Sequence, residues 1–107
     1  MIEFEKGSTN VYADLGFPDA DEMLRKAELV TEIGKIIKAR RWTQQRATEV
    51  LGLSQPKLSE LLRGRFRGVS EIKMLEYRAR LGCDVKIVVS PPHLIGAPGQ
   101  VALSISA

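Results

Sequence analysis

The stretch "TQQRATEVLGLSQPKLSELLRG", Thr43 to Gly64, holds two short apolar-periodic segments on either side of a glycine, with polar or basic residues in almost every other position. Thr43 is a capping residue, and Ala47, Val50 and Leu51 give the first segment a helical stripe to bury. Gly52 predicts a stop, because a tight turn between helices needs a positive φ that glycine adopts without strain. Leu53 then drops toward the core and Ser54 caps the second segment. Pro56 would break a helix interior, but in the first turn its missing N–H has no intrahelical partner to lose. Leu58, Leu61 and Leu62 are read as the inner face, and Gly64 as the end.

Outward from this centre, Asp19 and Glu22 have the spacing of a capping box. Met23, Ala27, Val30, Gly34 and Ile37, joined by Leu24, Ile33 and Ile36, predict one long helix over about residues 20–41, closing in the basic cluster "KARR". Trp42 is read as a core or half-buried aromatic beside the turn. Downstream, the basic link "RFRG" leads to Ser70, a cap for a fourth helix to about Leu81, with Ile72, Leu75 and Ala79 as core positions and Gly82 as terminator. "CDVKIVVS" alternates around Val85, Ile87 and Val89 and predicts a strand, ended by Pro91 and Pro92. "GAPGQVALSISA" is either a weak second strand (Val101, Leu103, Ile105) or a flexible tail. Residues 1–18 read as irregular, broken by Gly7, Gly16 and Pro18. The expected architecture is all-α, with four main helices and a C-terminal β-strand suited to dimerisation. It divides into residues 1–18, a helical domain over 19–82, and a strand and tail over 83–107.

A chain of 107 residues is one domain by size, too short for a core plus a deep substrate cleft. No run approaches the roughly 18 apolar residues of a membrane span. The acidic N-terminus lacks the apolar stretch of a signal peptide, so the cytoplasm is the expected compartment. The single cysteine, Cys83, has no partner for an internal disulfide, in keeping with reducing surroundings. The net charge of +3 is unevenly spread. Residues 1–34 set Lys6, Arg25 and Lys26 against eight acidic residues, while residues 35–67 set nine basic residues against Glu49 and Glu60. A basic middle of this kind is the footprint of a face that meets a polyanion; a solvated, unevenly charged surface is the plainer alternative.

Two short helices joined by a glycine turn inside a helical domain make a helix-turn-helix, whose second helix enters the major groove of DNA. Residues 43–64 resemble the Cro- and lambda-repressor-like (XRE) helix-turn-helix regulators: Thr-Gln opens the first helix, Leu-Gly makes the turn, Ser-Gln-Pro opens the recognition helix, and Leu-Leu-Arg-Gly closes it. "NVYADLGFPDADEMLRKAEL" upstream and "LGCDVKIVV" downstream resemble, more narrowly, HigA-like antitoxins and their solitary relatives, so that the likeness spans about residues 8–90. Thr48 departs from the family's usual alanine, but its methyl can pack and its hydroxyl can bond a carbonyl one turn back. The resemblance implies a lambda-repressor-like bundle. It also implies that Thr43 and Gln44 touch the DNA backbone and that Ser54, Gln55, Lys57 and Ser59 face the groove, with Gln55 suited to adenine and Lys57 to guanine. Arg63, Arg65 and Arg67 would neutralise phosphates beyond the groove.

Enzyme chemistry is not expected. His93 is the only histidine, no cysteine or acid cluster of metal-ligand spacing accompanies it, and no glycine-rich phosphate loop or nucleophile elbow is present. No cofactor is implied. The expected partners are double-stranded DNA with a palindromic operator, and a second copy paired through Val85, Ile87 and Val89. The resemblance adds a small basic toxin, for which the acidic first third has the complementary charge. Residues 1–18 are equally suited to pack back over the helices through Tyr12, Leu15 and Phe17, a role compatible with that contact. The expected function is thus a DNA-binding repressor and antitoxin-like autoregulator. The alternatives are a solitary or phage-type regulator without a toxin, and a protein-binding inhibitor with a degenerate DNA face.

Overall fold

A computed structural model of the chain describes residues 19–93 and 96–106. Four helices follow one another: α1 (Ala20–Ala39), α2 (Gln44–Leu51), α3 (Gln55–Leu62) and α4 (Glu71–Arg80). The long α1 lies against α4 and α3, and α2 packs on α3 and α4. One continuous core results. Its fully buried centre is Leu29 and Ile33 of α1, Leu51 of α2, Leu58 of α3, Met74 of α4, and Leu81 just past α4. The anchors Tyr12, Leu15 and Phe17 lie outside the described residues, so whether they cover the helices is not part of this architecture.

Local signals place three of the four helix starts. Thr43 Oγ1 accepts the Arg46 N–H (3.1 Å), Ser54 Oγ the Lys57 N–H (3.3 Å) and Ser70 Oγ the Lys73 N–H (3.1 Å). Such caps satisfy amides that the helix itself leaves orphaned. The expected capping box at α1 does not form. Asp19 makes no side-chain cap bond, and its carboxylate instead accepts a hydrogen bond from Arg67 Nη1 at 2.7 Å. Glu22 turns to Lys26 (3.0 Å).

Lys26 is nearly fully buried; its ammonium is held by Glu22 and donates to the Arg67 carbonyl (3.0 Å). Arg25 grips Glu71 through two bonds of 2.9 and 2.8 Å. That hydrogen bonding to Glu71 raises the Arg25 pKa above its ordinary value, against the opposing pull of desolvation. These ties fasten the first half of α1 to the start of α4 and to the link that precedes it.

Several core assignments change. Met23, Val30, Ile33, Ile37, Ala47, Leu51, Leu58 and Leu61 are buried as expected, and Trp42 is half-buried. Leu62 is 37% exposed and lies at the edge of the α1–α3 contact rather than on the inner face. In α4 only Leu75 of the expected stripe packs against the core, half-buried. Ile72 is 57% exposed and Ala79 is exposed, while Met74, Tyr77 and Leu81 face inward. Both sets recur at helical spacing, and the inward one carries the larger buried volume. Phe66, in the basic link, is also core.

The expected C-terminal strand is corrected. No strand occurs among the described residues, and residues 83–93 form an irregular arm on which Val85, Ile87 and Val89 are 39, 65 and 88% exposed. A strand needs a neighbour for its N–H and C=O groups, and none is offered by the described part of one chain. Beyond the arm the chain returns to the domain. The Val101 carbonyl accepts from Arg25 Nη1 (3.3 Å), Leu103 packs against the core and Ile105 is buried, in place of a second strand or a free tail.

Gly52 closes α2 at φ 71, with its N–H donating to the Thr48 carbonyl (2.8 Å). A Cβ there would run into Arg80 Nη1, which donates to the Leu51 carbonyl (3.2 Å) and so caps the end of α2. Gly52→Ala therefore combines left-handed strain with displacement of Arg80. We expect a loss of about 1–3 kcal/mol in urea unfolding; an unchanged midpoint would show that the turn does not require glycine.

Candidate nucleic-acid interface

The interface is built by the two short helices and the turn between them. Ala47 is fully buried at their crossing, which lets α2 and α3 approach closely. Thr48 contributes as expected, its hydroxyl donating to the Gln45 carbonyl at 2.6 Å. With Leu58 and Leu61 turned inward, α3 presents Gln55, Pro56 and Lys57 to the outside, with Ser59 and Glu60 half-buried beside them.

Gln55 Nε2 donates to Gln44 Oε1 at 3.0 Å. This bond joins the first residues of α2 and α3, so the two amides form one rigid pair rather than two free side chains. Each amide keeps unused hydrogen-bonding capacity for a ligand on its outer side. Ser54 spends its oxygen on the Lys57 N–H, which leaves its hydroxyl proton as a donor. The capping bonds of Thr43 and Ser54 thus orient both helix starts toward the same outer surface.

The expected cations divide into two groups. Arg65 pairs with Glu60 (3.2 Å) and Arg67 with Asp19 (2.7 Å), so both guanidiniums are held by carboxylates of the chain. Arg46 lies over the Trp42 ring (5.8 Å) and near Glu49 (3.7 Å), and Arg40 stacks on the same ring (5.0 Å) while donating to the Leu81 carbonyl (2.7 Å). Lys38, Arg41, Lys57 and Arg63 are exposed and, among the described residues, make no side-chain hydrogen bond or ion pair. The free positive charge of residues 35–67 is therefore concentrated at the end of α1 and along α3. Arg41 was not separable from the tail of the first helix in the sequence; only its backbone conformation singles it out.

Beside α3, an open groove of about 910 Å³ runs between the α2–α3 turn and the start of α4, lined by Ser54, Lys57, Glu60, Arg65, Ser70 and Lys73 among others. Its mixed charge and openness suit an extended polar surface better than an enclosed small molecule. No group of His, Cys, Asp or Glu that could hold a metal occurs among the described residues. Nor is any described helix long and apolar enough to cross a membrane.

Comparison with known proteins agrees with this geometry. A solved structure described as a candidate XRE-family transcriptional regulator matches with a TM-score of 0.70 at 28% identity, covering 83% of this chain and 100% of that one. No curated protein matches the sequence at a significant level. The profile of the family described as a helix-turn-helix domain matches residues 11–90, which takes in all four helices and the start of the arm, and the chain belongs to that family.

Proposed function

We propose that this protein is a sequence-specific DNA-binding repressor of the XRE type, acting as a dimer in the cytoplasm, and in its narrowest form an antitoxin-like autoregulator. The observation that carries the reading is the outer face of α3, where the paired Gln44 and Gln55 amides share an exposed surface with Lys57 and Arg63, whose charges have no partner among the described residues. An amide presents one donor and one acceptor in the geometry of an adenine edge, and a free ammonium suits guanine. Arg63, past the end of α3, is placed for phosphate. The activity is binding rather than catalysis.

Val85, Ile87 and Val89 would pair with the same residues of a second copy, giving a two-fold dimer. Its recognition helices would then fall about 34 Å apart on a palindromic operator. The antitoxin form adds a small basic toxin held by the acidic first third, of which residues 1–18 lie outside the described part. A small basic reading frame beside the gene, whose product co-purifies with this chain, supports that form; its absence supports a solitary regulator.

The test is selection of bound duplexes from a random pool, followed by two variants. Gln55→Ala should relax base preference at one position of each half-site, with about 1–3 kcal/mol of discrimination lost. Arg63→Ala should weaken binding to all sequences alike and flatten the salt dependence by roughly one phosphate contact. A pool that yields no enriched sequence would favour a protein-binding module with a degenerate DNA face.

A further inference from the structure

Each helix ends on a residue in the left-handed region, and three of these residues are glycines: Gly52 (φ 71), Gly64 (φ 88) and Gly82 (φ 92). At α1 the position is taken by Arg41 (φ 56), the one non-glycine residue with positive φ among the described residues. The bonding around it is a complete Schellman closure. Arg41 N–H donates to the Lys38 carbonyl (3.0 Å) and Trp42 N–H to the Ile37 carbonyl (3.2 Å), with Trp42 and Ile37 both packed in the core cluster. α3 and α4 close with the same two bonds, onto Leu61 and Glu60 and onto Ala79 and Arg78, and there the left-handed residue is glycine. A side chain at this position is disfavoured by its Cβ, so arginine stands where the backbone prefers glycine.

Among the described residues, no group of the protein engages that arginine's side chain. Its neighbours are engaged, Arg40 with the Leu81 carbonyl and Trp42, and Arg46 with Trp42 and Glu49. Arg41 is exposed and makes no side-chain bond among the described residues. It sits two residues before Thr43, the cap of α2, and three before Gln44 of the Gln44–Gln55 pair. We propose that Arg41 is a further phosphate-binding residue of the interface, gripping the DNA backbone next to the steps read by α3, at the expense of a strained helix end. This rests on the DNA-binding reading above and adds a residue to it.

The experiment compares the parent chain with Arg41→Gly and Arg41→Lys in thermal unfolding and in salt titration of binding to random-sequence duplex DNA. Arg41→Gly should raise the unfolding midpoint by several degrees, about 4–8 °C for a domain of this size, because glycine relieves the cap. The same variant should bind duplex more weakly, with the slope of log affinity against log salt shallower by about 0.9. Between 50 and 200 mM salt it should therefore lose roughly 3-fold less affinity than the parent. Arg41→Lys should keep the parent slope.

A stabilised Arg41→Gly variant with an unchanged slope overturns the proposal while leaving the DNA-binding reading intact. A destabilised variant overturns the premise of a strained cap. A parent chain that does not bind duplex in a salt-dependent way overturns the DNA-binding reading and this proposal with it.

Discussion

Leu58→Ala should unfold at a much lower urea concentration than the parent chain, while Leu62→Ala, on the same helix, should hardly move. Leu58 is fully buried beneath α3, and removing its side chain leaves a cavity in the core cluster that close-packed neighbours fill only in part. Changes of this kind lose about 2–5 kcal/mol. Small domains have only about 5–15 kcal/mol in total, so the variant should sit near the edge of folding. Leu62 is 37% exposed and rests against the open side of Gly34, where a Cβ would meet its Cδ2 at 3.7 Å, so truncation should stay within about 1 kcal/mol. Urea unfolding followed by circular dichroism measures both. Because the rotation that buries Leu58 also turns Gln55 and Lys57 outward, equal losses at the two leucines would mean that α3 is turned and that the interface is misassigned.

The second large effect concerns the arm. Ile87→Lys combined with Val89→Lys should leave the thermal unfolding of the helical domain unchanged and convert a dimer into a monomer in sedimentation. Both residues are exposed and belong neither to the core cluster nor to the half-buried residues packed on it, so the domain has no reason to notice the change. In a paired arm they would be covered, and lysine there would put like charges opposite one another. Losing the second recognition helix removes the effective-concentration advantage of two linked half-sites. Operator affinity should fall by roughly 10²-fold or more, with single half-site binding retained. A parent chain that sediments as a monomer, or a double variant that remains dimeric, would remove the arm from the dimer.

Much of this fold is legible in the sequence because its signals are local. Thr43, Ser54 and Ser70 cap within three residues of themselves, and Gly52 and Pro56 act on their own backbone. What escaped depends on partners far along the chain. Asp19 has the spacing of a cap, but Arg67, 48 residues away, draws its carboxylate off. The burial of Lys26 depends on the Arg67 carbonyl, 41 residues away, which together with Glu22 satisfies its ammonium. In α4 the expected Ile72, Leu75 and Ala79 share their spacing with Met74, Tyr77 and Leu81, and it is packing in the assembled bundle that buries the second set, leaving Leu75 half-buried and Ile72 and Ala79 exposed. At the interface the outward residues of α3 were readable from motif spacing. The engagement of Arg65 and Arg67 by acids of the chain, and the lack of a partner for Arg41 among the described residues, were not.

Arg40, at the end of α1, holds the Leu81 carbonyl at the end of α4, and the Cys83 N–H returns to Arg78, so the place where the arm leaves the domain is pinned by two helices. In a dimer joined through these arms, that anchorage works as a fixed ruler rather than a hinge. Operators with one base pair added or removed at their centre would rotate one half-site away from a reader with little slack to follow it.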